Sequence, residues 1–445
     1  MKIIILGAGE VGTHLAKLLS REEQDILLID DNIDRLAVID ANYNLMTLKG
    51  GATSFSTFRE ARAGECDLFI SVTPYETTNV VACSMAKSLG AKKTVARIDN
   101  YEFMKSENKG FFASMGVDSM IYPEYLAAKE IETALARSWV RHWFELHDGE
   151  IIIVGVKLRE NAQIIGMQLK ELAMAQNAFH VSAIKRNHET IIPRGDDYIL
   201  SNDILYFATT YPHVNDLREL CGKKDQELRN VMIMGGTRIA RRLVKDASDR
   251  YQFKIIDNNL EVCKQLAEHC PPECEIVHGD ARDFDVLRDE GINEVDAFIA
   301  LTDSSETNIL ACLTAKEFGV GKTIAEVENI QLISEAEGLN IGTIINKKLL
   351  ASSSIFQLML DADDSSPKCL ALADAEVAEI EVKPKSKITK GAVKDLKLSR
   401  DMTIAGLIRD GKGQLVNGNT VIQAGDHVVV FCLAGAIHKI ERLFN

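Results

Sequence analysis

The sequence predicts an α/β protein built twice: two doubly wound parallel sheets, each followed by a small α+β module. Three observations carry this. Strand-length apolar runs alternate with helical stretches from Lys2 to the region of Ile121, the pattern of a parallel sheet covered on both faces. The same order of elements begins again at Val231. After each α/β run the composition changes to short β-rich segments separated by polar turns.

The elements follow in order. "KIIILGAG" is an apolar strand that stops at glycine, and the next stretch puts Val11, Leu15, Leu18 and Leu19 on one helical face. "DILLID" is a second strand closing at Asp30. A helix over 34–42, a strand "LMTLKG", a helix over 54–63, a strand "DLFISVT", a helix over 79–89 and a strand "KTVARI" complete the run. Alanine, leucine, glutamate and lysine between Glu124 and Trp143 predict one long helix. Residues 145–209 then hold "IIIVGVKL" and "DILYFAT", with the charged turn "RGDD" between them. In the second half "VMIMGG", "FKIID", "CEIVHGDA", "DAFIALT" and "KTIAEV" repeat the first five strands, and residues 376–433 supply "EVAEIEV", "QAGD" and "HVVVFCL". Asp30 is matched by Asp257, an offset of 227, while Thr73 is matched by Thr302, Asn79 by Asn308 and Arg97 by Glu326, each an offset of 229. "GKKDQE" at 222–227 and "DADDSSPK" at 361–368 read as linkers. The expected organisation is 1–122 and 228–345 for the α/β units, 123–144 and 346–362 for the connecting helices, and 145–222 and 370–445 for the small modules.

Composition limits the function. The 445 residues carry 51 basic and 65 acidic side chains, net −14, which disfavours nucleic acid and anionic membrane surfaces. Residues 1–222 and 223–445 each carry −7, as a duplicated chain should. No apolar run reaches membrane-spanning length, the N-terminal apolar run is too short for a signal peptide, and nine scattered cysteines suit a reducing compartment, so a cytoplasmic protein without disulfides is expected.

The chemistry sits in the first turn. Gly7, Gly9 and Gly12 form G-x-G-x-x-G between a strand and a helix, and Asp30 closes the following strand. Gly7 allows the tight turn, Gly9 lets backbone approach a diphosphate and Gly12 allows close packing of helix on sheet, a Rossmann-like arrangement. Phosphate oxygens then meet open N–H groups at the positive end of the helix dipole. Asp30 is placed to accept from ribose hydroxyls and to repel a 2′-phosphate, favouring NAD(H) or another adenine nucleotide, ATP or ADP included. Ala8, Glu10 and Val11 in the turn, 50–53 after the third strand, Thr73 and Pro74 after the fourth and Arg97 after the fifth lie at the carboxyl ends where such ligands bind; a salt bridge is an equally good reading of Arg97.

The second copy keeps Gly235, Gly236, Asp257 and Thr302, but Thr237 stands at the place of Gly9 and Ala240 at that of Gly12. A branched side chain at Thr237 projects toward the diphosphate, with Arg238 beside it as a compensating charge, so this site is expected to bind weakly, to take a mononucleotide or to be empty. His269, Cys270, Cys274 and His278 have zinc-like residue types, yet they fall at an ordinary helix-to-strand connection, and no metal is expected there. His142 and His147 read as surface or interface residues near the end of the long helix. Ser352 to Ser354 have no paired base, and no catalytic residue stands out.

The G-x-G-x-x-G unit, a long helix and a β-rich module containing "IIPRGDDYILSNDILYF", with the whole repeated as far as "TVIQAGDHVVVF", resemble the tandem RCK (KTN) arrangement of the TrkA family, the regulatory subunits of bacterial Trk potassium uptake systems. The resemblance covers nearly the whole chain. It implies RCK C-terminal folds for the small modules, potassium transport through a TrkH-like membrane subunit, gating by nucleotide, homo-oligomers (dimer or tetramer), residence at the inner face of the cell membrane through that partner, and a crossover helix exchanged between subunits. The family's nucleotide contacts carry over to Gly7, Ala8, Gly9, Glu10, Val11, Asp30, Thr73, Pro74 and Arg97, and in the second unit to Gly235, Gly236, Asp257 and Thr302. Gly51 departs from an Asp common in the family, which Asp280 keeps. A NAD-dependent oxidoreductase is the competing reading, disfavoured because the small modules offer no His, Lys or Tyr that stands out as a hydride partner.

Overall fold

A computed structural model describes residues 1–20, 24–43, 45–175, 178–187, 189–360, 368–372, 375–396, 398–433 and 444. Two compact units divide the chain: Met1–Ala128 with Asn346–Asp364, and Lys129–Ile345 with Ser365–Asn445.

The first unit runs β1 Lys2–Leu6, α1 Glu10–Leu19, β2 Asp25–Asp30, α2 Ile33–Asn42, β3 Met46–Lys49, α3 Phe55–Glu60, β4 Leu68–Ser71, α4 Glu76–Leu89, β5 Lys93–Arg97, α5 Ser106–Ser114 and β6 Ser119–Ile121. The six strands are parallel in the order β3-β2-β1-β4-β5-β6. The order reverses at β1 and β4, so their carboxyl ends border a crevice. Ile3, Ile4 and Ile5 are fully buried, as the apolar run requires of a strand covered on both faces, and each contributes about 1.5–3 kcal/mol. Local signals fix the helix ends: the Asn32 side chain accepts from the N–H groups of Asp34 and Arg35, and Gly90, at φ +119°, ends α4.

Pro123–Ala136 forms α6, whose residues from Lys129 onward belong to the second unit. There Lys129 lies 3.8 Å from Asp246, and Glu132 pairs with Arg250. The helix expected as far as Trp143 stops at Ala136, because tertiary burial overrides propensity. Val140 and Trp143 enter the core of the first small module, Arg137 stacks 4.0 Å from the Trp143 ring, and the Arg141 N–H donates to the Gly155 carbonyl at 2.8 Å. His142 therefore lies in a strand, β7 His142–Leu146, and not at a helix end.

The module continues with β8 Ile151–Lys157, α7 Leu169–Ala175, β9 Phe179–Arg186, β10 Glu189–Ile191, β11 Ile204–Thr209 and α8 Val214–Leu220, giving an antiparallel sheet β10-β9-β11-β8-β7. The second α/β segment is β12 Asn230–Met234, α9 Arg238–Ala247, β13 Gln252–Asp257, α10 Leu260–His269, β14 Glu275–His278, α11 Phe284–Asp289, β15 Ala297–Ala300, α12 Ser305–Glu317, β16 Lys322–Glu326, α13 Ile330–Gly338 and β17 Thr343–Ile345. Its sheet order, β14-β13-β12-β15-β16-β17, repeats the first.

After β17 comes α14, Lys347–Leu360, which belongs to the first unit and packs on α1. Within the chain, α6 thus runs from the first unit into the second, and α14 follows the second sheet yet belongs to the first unit. The linker expected at 361–368 lies outside the described residues as far as 367, and Lys368 already opens a strand. The last module holds β18 Lys368–Leu372, β19 Ala375–Glu381, β20 Met402–Arg409, β21 Lys412–Leu415 and β22 His427–Leu433, in the order β18-β19-β22-β20-β21. Within the second unit the two small modules share one apolar core, in which Ile151, Ile153, Tyr206 and Ala208 meet Val377, Ile408, Val429 and Phe431.

Candidate functional site

The first turn is organised around an opening. Gly7 takes φ +106°, a backbone state that glycine adopts without strain, and its N–H donates to the Ile29 carbonyl at 2.8 Å. A Cβ on Gly12 would lie 1.9 Å from the Gly7 carbonyl oxygen, so glycine is dictated there by the approach of α1 to the turn. Gly9 differs: a Cβ there would have nothing within 4 Å. Packing within the chain does not call for glycine at this place, and the space above it is free. The first hydrogen bond of α1 runs from Thr13 N–H to the Gly9 carbonyl at 2.8 Å, which leaves the N–H groups of Glu10, Val11 and Gly12 directed out of the helix end. An anion above Gly9 meets these donors and the helix dipole together.

Asp30 holds the turn from below. It is 7% exposed; one oxygen accepts from Ala8 N–H at 2.6 Å, the other from Asn32 N–H at 2.9 Å, and Arg35 approaches to 4.0 Å. Each carboxylate oxygen has a further lone pair for a ribose hydroxyl. The carboxylate thus fixes the loop from both of its oxygens. Glu10, at the start of α1, pairs with Lys348 of α14, a buried lysine that the second repeat supplies to the first unit.

At the opposite side of the crevice the hub is Asn79. Fully buried, it accepts from the Ser71 hydroxyl at 2.9 Å, from Thr73 N–H at 2.9 Å and from the Thr73 hydroxyl at 2.7 Å. Its amide donates to the carbonyls of Thr73 and Arg97, at 3.0 and 2.9 Å. One side chain therefore ties the ends of β4 and β5 together and sets the loop carrying Thr73 and the exposed Pro74. Tyr75, next along, is 70% exposed. The Arg97 guanidinium lies 3.8 Å from both Asp99 and Glu124, and among the described residues the buried Arg97 Nε and Glu124 Oε2 have no hydrogen-bond partner. The acid-pairing reading of Arg97 is the one this arrangement favours.

The second copy reproduces the frame but not the opening. Gly235 has φ +102°, Asp257 accepts from Gly236 N–H at 2.7 Å and from Asn259 N–H at 2.8 Å, and Asn308 binds the N–H, hydroxyl and carbonyl of Thr302 and the carbonyl of Glu326. Thr237 caps α9 with its own side chain, which accepts from Ala240 N–H at 3.4 Å. A hydroxyl from within the chain takes a donor at the helix end where the first copy offers open space.

Residues 3–123 and 231–347 match the TrkA-N domain model, and residues 153–222 and 377–445 match the TrkA-C domain model. The chain belongs to the TrkA family. It is 31% identical to the Trk system potassium uptake protein TrkA of Vibrio alginolyticus and 30% identical to that of Halomonas elongata, in both cases over 100% of this chain and 99% of the relative. Among solved structures the GsuK RCK domain superposes with a TM-score of 0.61 at 15% identity, over 100% of this chain and 94% of that one, and a GsuK channel described as bound to NAD gives the same score and identity over 100% and 78%. The TrkA-N matches cover the two parallel-sheet segments and the TrkA-C matches the two small antiparallel modules, so family and fold divide the chain in the same way.

Sequence reasoning placed Asn79 and Asn308 in register without giving them a role. The signal was available, since an Asn six positions after the Thr at the end of the fourth strand occurs in both halves. Lys348 was not legible, because it reaches the turn through tertiary packing alone. Of the zinc-like set, the thiols of Cys270 and Cys274 hydrogen-bond each other, while His269 Nδ1 lies 2.7 Å from the Gln265 carbonyl and His278 Nε2 lies 3.2 Å from the Asn258 carbonyl. Ser352 donates to the carbonyl of Lys348, one helical turn back.

Proposed function

We propose that this TrkA-family protein gates a TrkH-like potassium-translocating membrane subunit from the cytoplasmic side, with NAD(H), or ATP and ADP, bound at the first turn as the signal. The observation that carries it is the free space above Gly9, bounded by the open N–H groups of Glu10, Val11 and Gly12 and by Asp30. The proposed contacts are Gly7, Ala8, Gly9, Glu10, Val11, Gly12 and Asp30, with Thr73 and Pro74 across the crevice, where Arg97 pairs with Asp99 and Glu124 instead. The equivalent residues of the second unit, Gly235, Gly236, Asp257 and Thr302, form a weaker site behind the Thr237 cap. Regulation then follows from affinity: a ligand shifts a two-state assembly only by as much as it prefers one state. Homo-oligomers, as a dimer or tetramer, are the proposed assembly.

The test has two stages. Melting of the purified protein with NAD, NADH, NADPH, ATP and ADP should give shifts that grow with ligand concentration, with NADPH weaker than NADH. Potassium flux through vesicles holding the TrkH-like subunit should then depend on this protein and change with the stabilising nucleotide. No shift with any nucleotide overturns the ligand assignment. Flux that ignores a nucleotide which does bind overturns the gating assignment.

A further inference from the structure

The paired small modules bring three side chains from distant parts of the sequence to one point. His147 comes from the turn after β7 in the first module, and Glu379 and His427 come from β19 and β22 in the second. The register pairs Glu381 with His427, so Glu379, two residues along β19, stands on the same face as His427. Nδ1 of His147 lies 3.2 Å from Glu379 Oε1, and Nδ1 of His427 lies 3.1 Å from the same oxygen. Nitrogen and oxygen ligand atoms from all three residues lie within 4.8 Å of one another.

Two further features favour a ligand. Backbone is held in an unusual state to aim His147: His147 at φ 49° and Asp148 at φ 54° are consecutive non-glycine residues in the left-handed region. Glu379 is 6% exposed, whereas the two imidazoles stay about a third exposed, leaving a side open to water or an outer ligand.

We propose that His147, Glu379 and His427 form a binding site for a zinc-class divalent transition metal, which joins the small modules of the two repeats. Two imidazoles and a carboxylate are a ligand set such ions favour, with a fourth position left for water. Bond lengths of about 2.0–2.1 Å in a tetrahedral site put neighbouring donors about 3.3 Å apart. The two nitrogen-to-oxygen separations already lie within about 0.2 Å of that value, so two edges of the tetrahedron are preformed. The site is independent of the nucleotide pocket, and its test does not rest on nucleotide binding.

The experiment uses the full chain, stripped with chelator, with Cys270→Ser and Cys274→Ser introduced so that thiols take up no ion. Equilibrium dialysis against zinc chloride should give one tightly held ion per chain. Cobalt(II) in its place should give the intense visible bands of a four-coordinate site. His147→Gln and His427→Gln should each abolish the bound ion and the bands. Because both imidazoles are partly exposed, each variant should elute and melt like the parent in chelator, while zinc raises the melting temperature of the parent alone. Absence of a bound ion in the parent, or an ion and bands retained in both histidine variants, overturns the proposal.

Discussion

Gly9 separates what the chain needs for folding from what it needs for binding. Gly7 and Gly12 are fixed by a positive φ and by a 1.9 Å approach, so substitutions there damage the turn itself. Gly9 has neither constraint, and a methyl group at this position enters only the space assigned to a diphosphate. Gly9→Ala should leave the urea midpoint unchanged or slightly raised, since alanine reduces the freedom of the unfolded chain. It should weaken nucleotide binding by roughly tenfold or more, about 1.4 kcal/mol. The reciprocal change, Thr237→Gly, removes the cap on α9 and should raise binding at the second unit, read by calorimetry as a stoichiometry moving from one site toward two. If Gly9→Ala binds NADH as the parent does, the diphosphate does not sit above the first turn.

Elements were legible wherever local pattern and burial agreed. The strands with Ile or Val in succession and the G-x-G-x-x-G turn follow from residues close in sequence. The helix predicted as far as Trp143 stops at Ala136 because Trp143 pairs with Val154 of the neighbouring β8 and joins Val140 in a core that includes Leu205 and Phe207 of the distant β11. Site residues divide the same way: the turn and Asp30 were read directly, while the Asn79 hub, Lys348 and the His147 cluster depend on contacts that no local pattern encodes. Asn79 offers the test at this scale. Asn79→Ala removes five hydrogen bonds across β4, β5 and α4 and leaves the buried Ser71 hydroxyl and the Thr73 N–H without their acceptor. A loss of about 2–4 kcal/mol is expected, measured as a lowered denaturation midpoint of the first unit. An unchanged midpoint shows that α4 docks by apolar contact alone and that the hub does not set the Thr73 loop.

At the scale of the molecule, the second unit carries a built-in sensitivity to acid where its two small modules meet. His142 in β7 stacks with Phe144 and Tyr206, and Tyr206 belongs to the core shared by both modules. Burial, reinforced by Arg141, Lys185 and Lys322, holds the His142 imidazole down to about 3. His180 in β9 lies 3.4 Å from Thr403 of the second module, and burial holds it down to about 4. In the unfolded chain both titrate near 6.5. Between those values the unfolded state binds protons that the folded state refuses, so acid favours unfolding. The stability contributed by the two neutral rings is complete above about pH 6.5 and is lost progressively as pH falls toward 4 and then 3. Melting followed from pH 7 to 4.5 in the presence of chelator, which silences any metal at His147, should show the temperature falling with pH. His142→Phe keeps the stacked ring and removes the titrating nitrogen, and it should flatten that slope. Equal slopes in parent and variant would place the acid sensitivity elsewhere, leaving the pairing of the modules indifferent to pH.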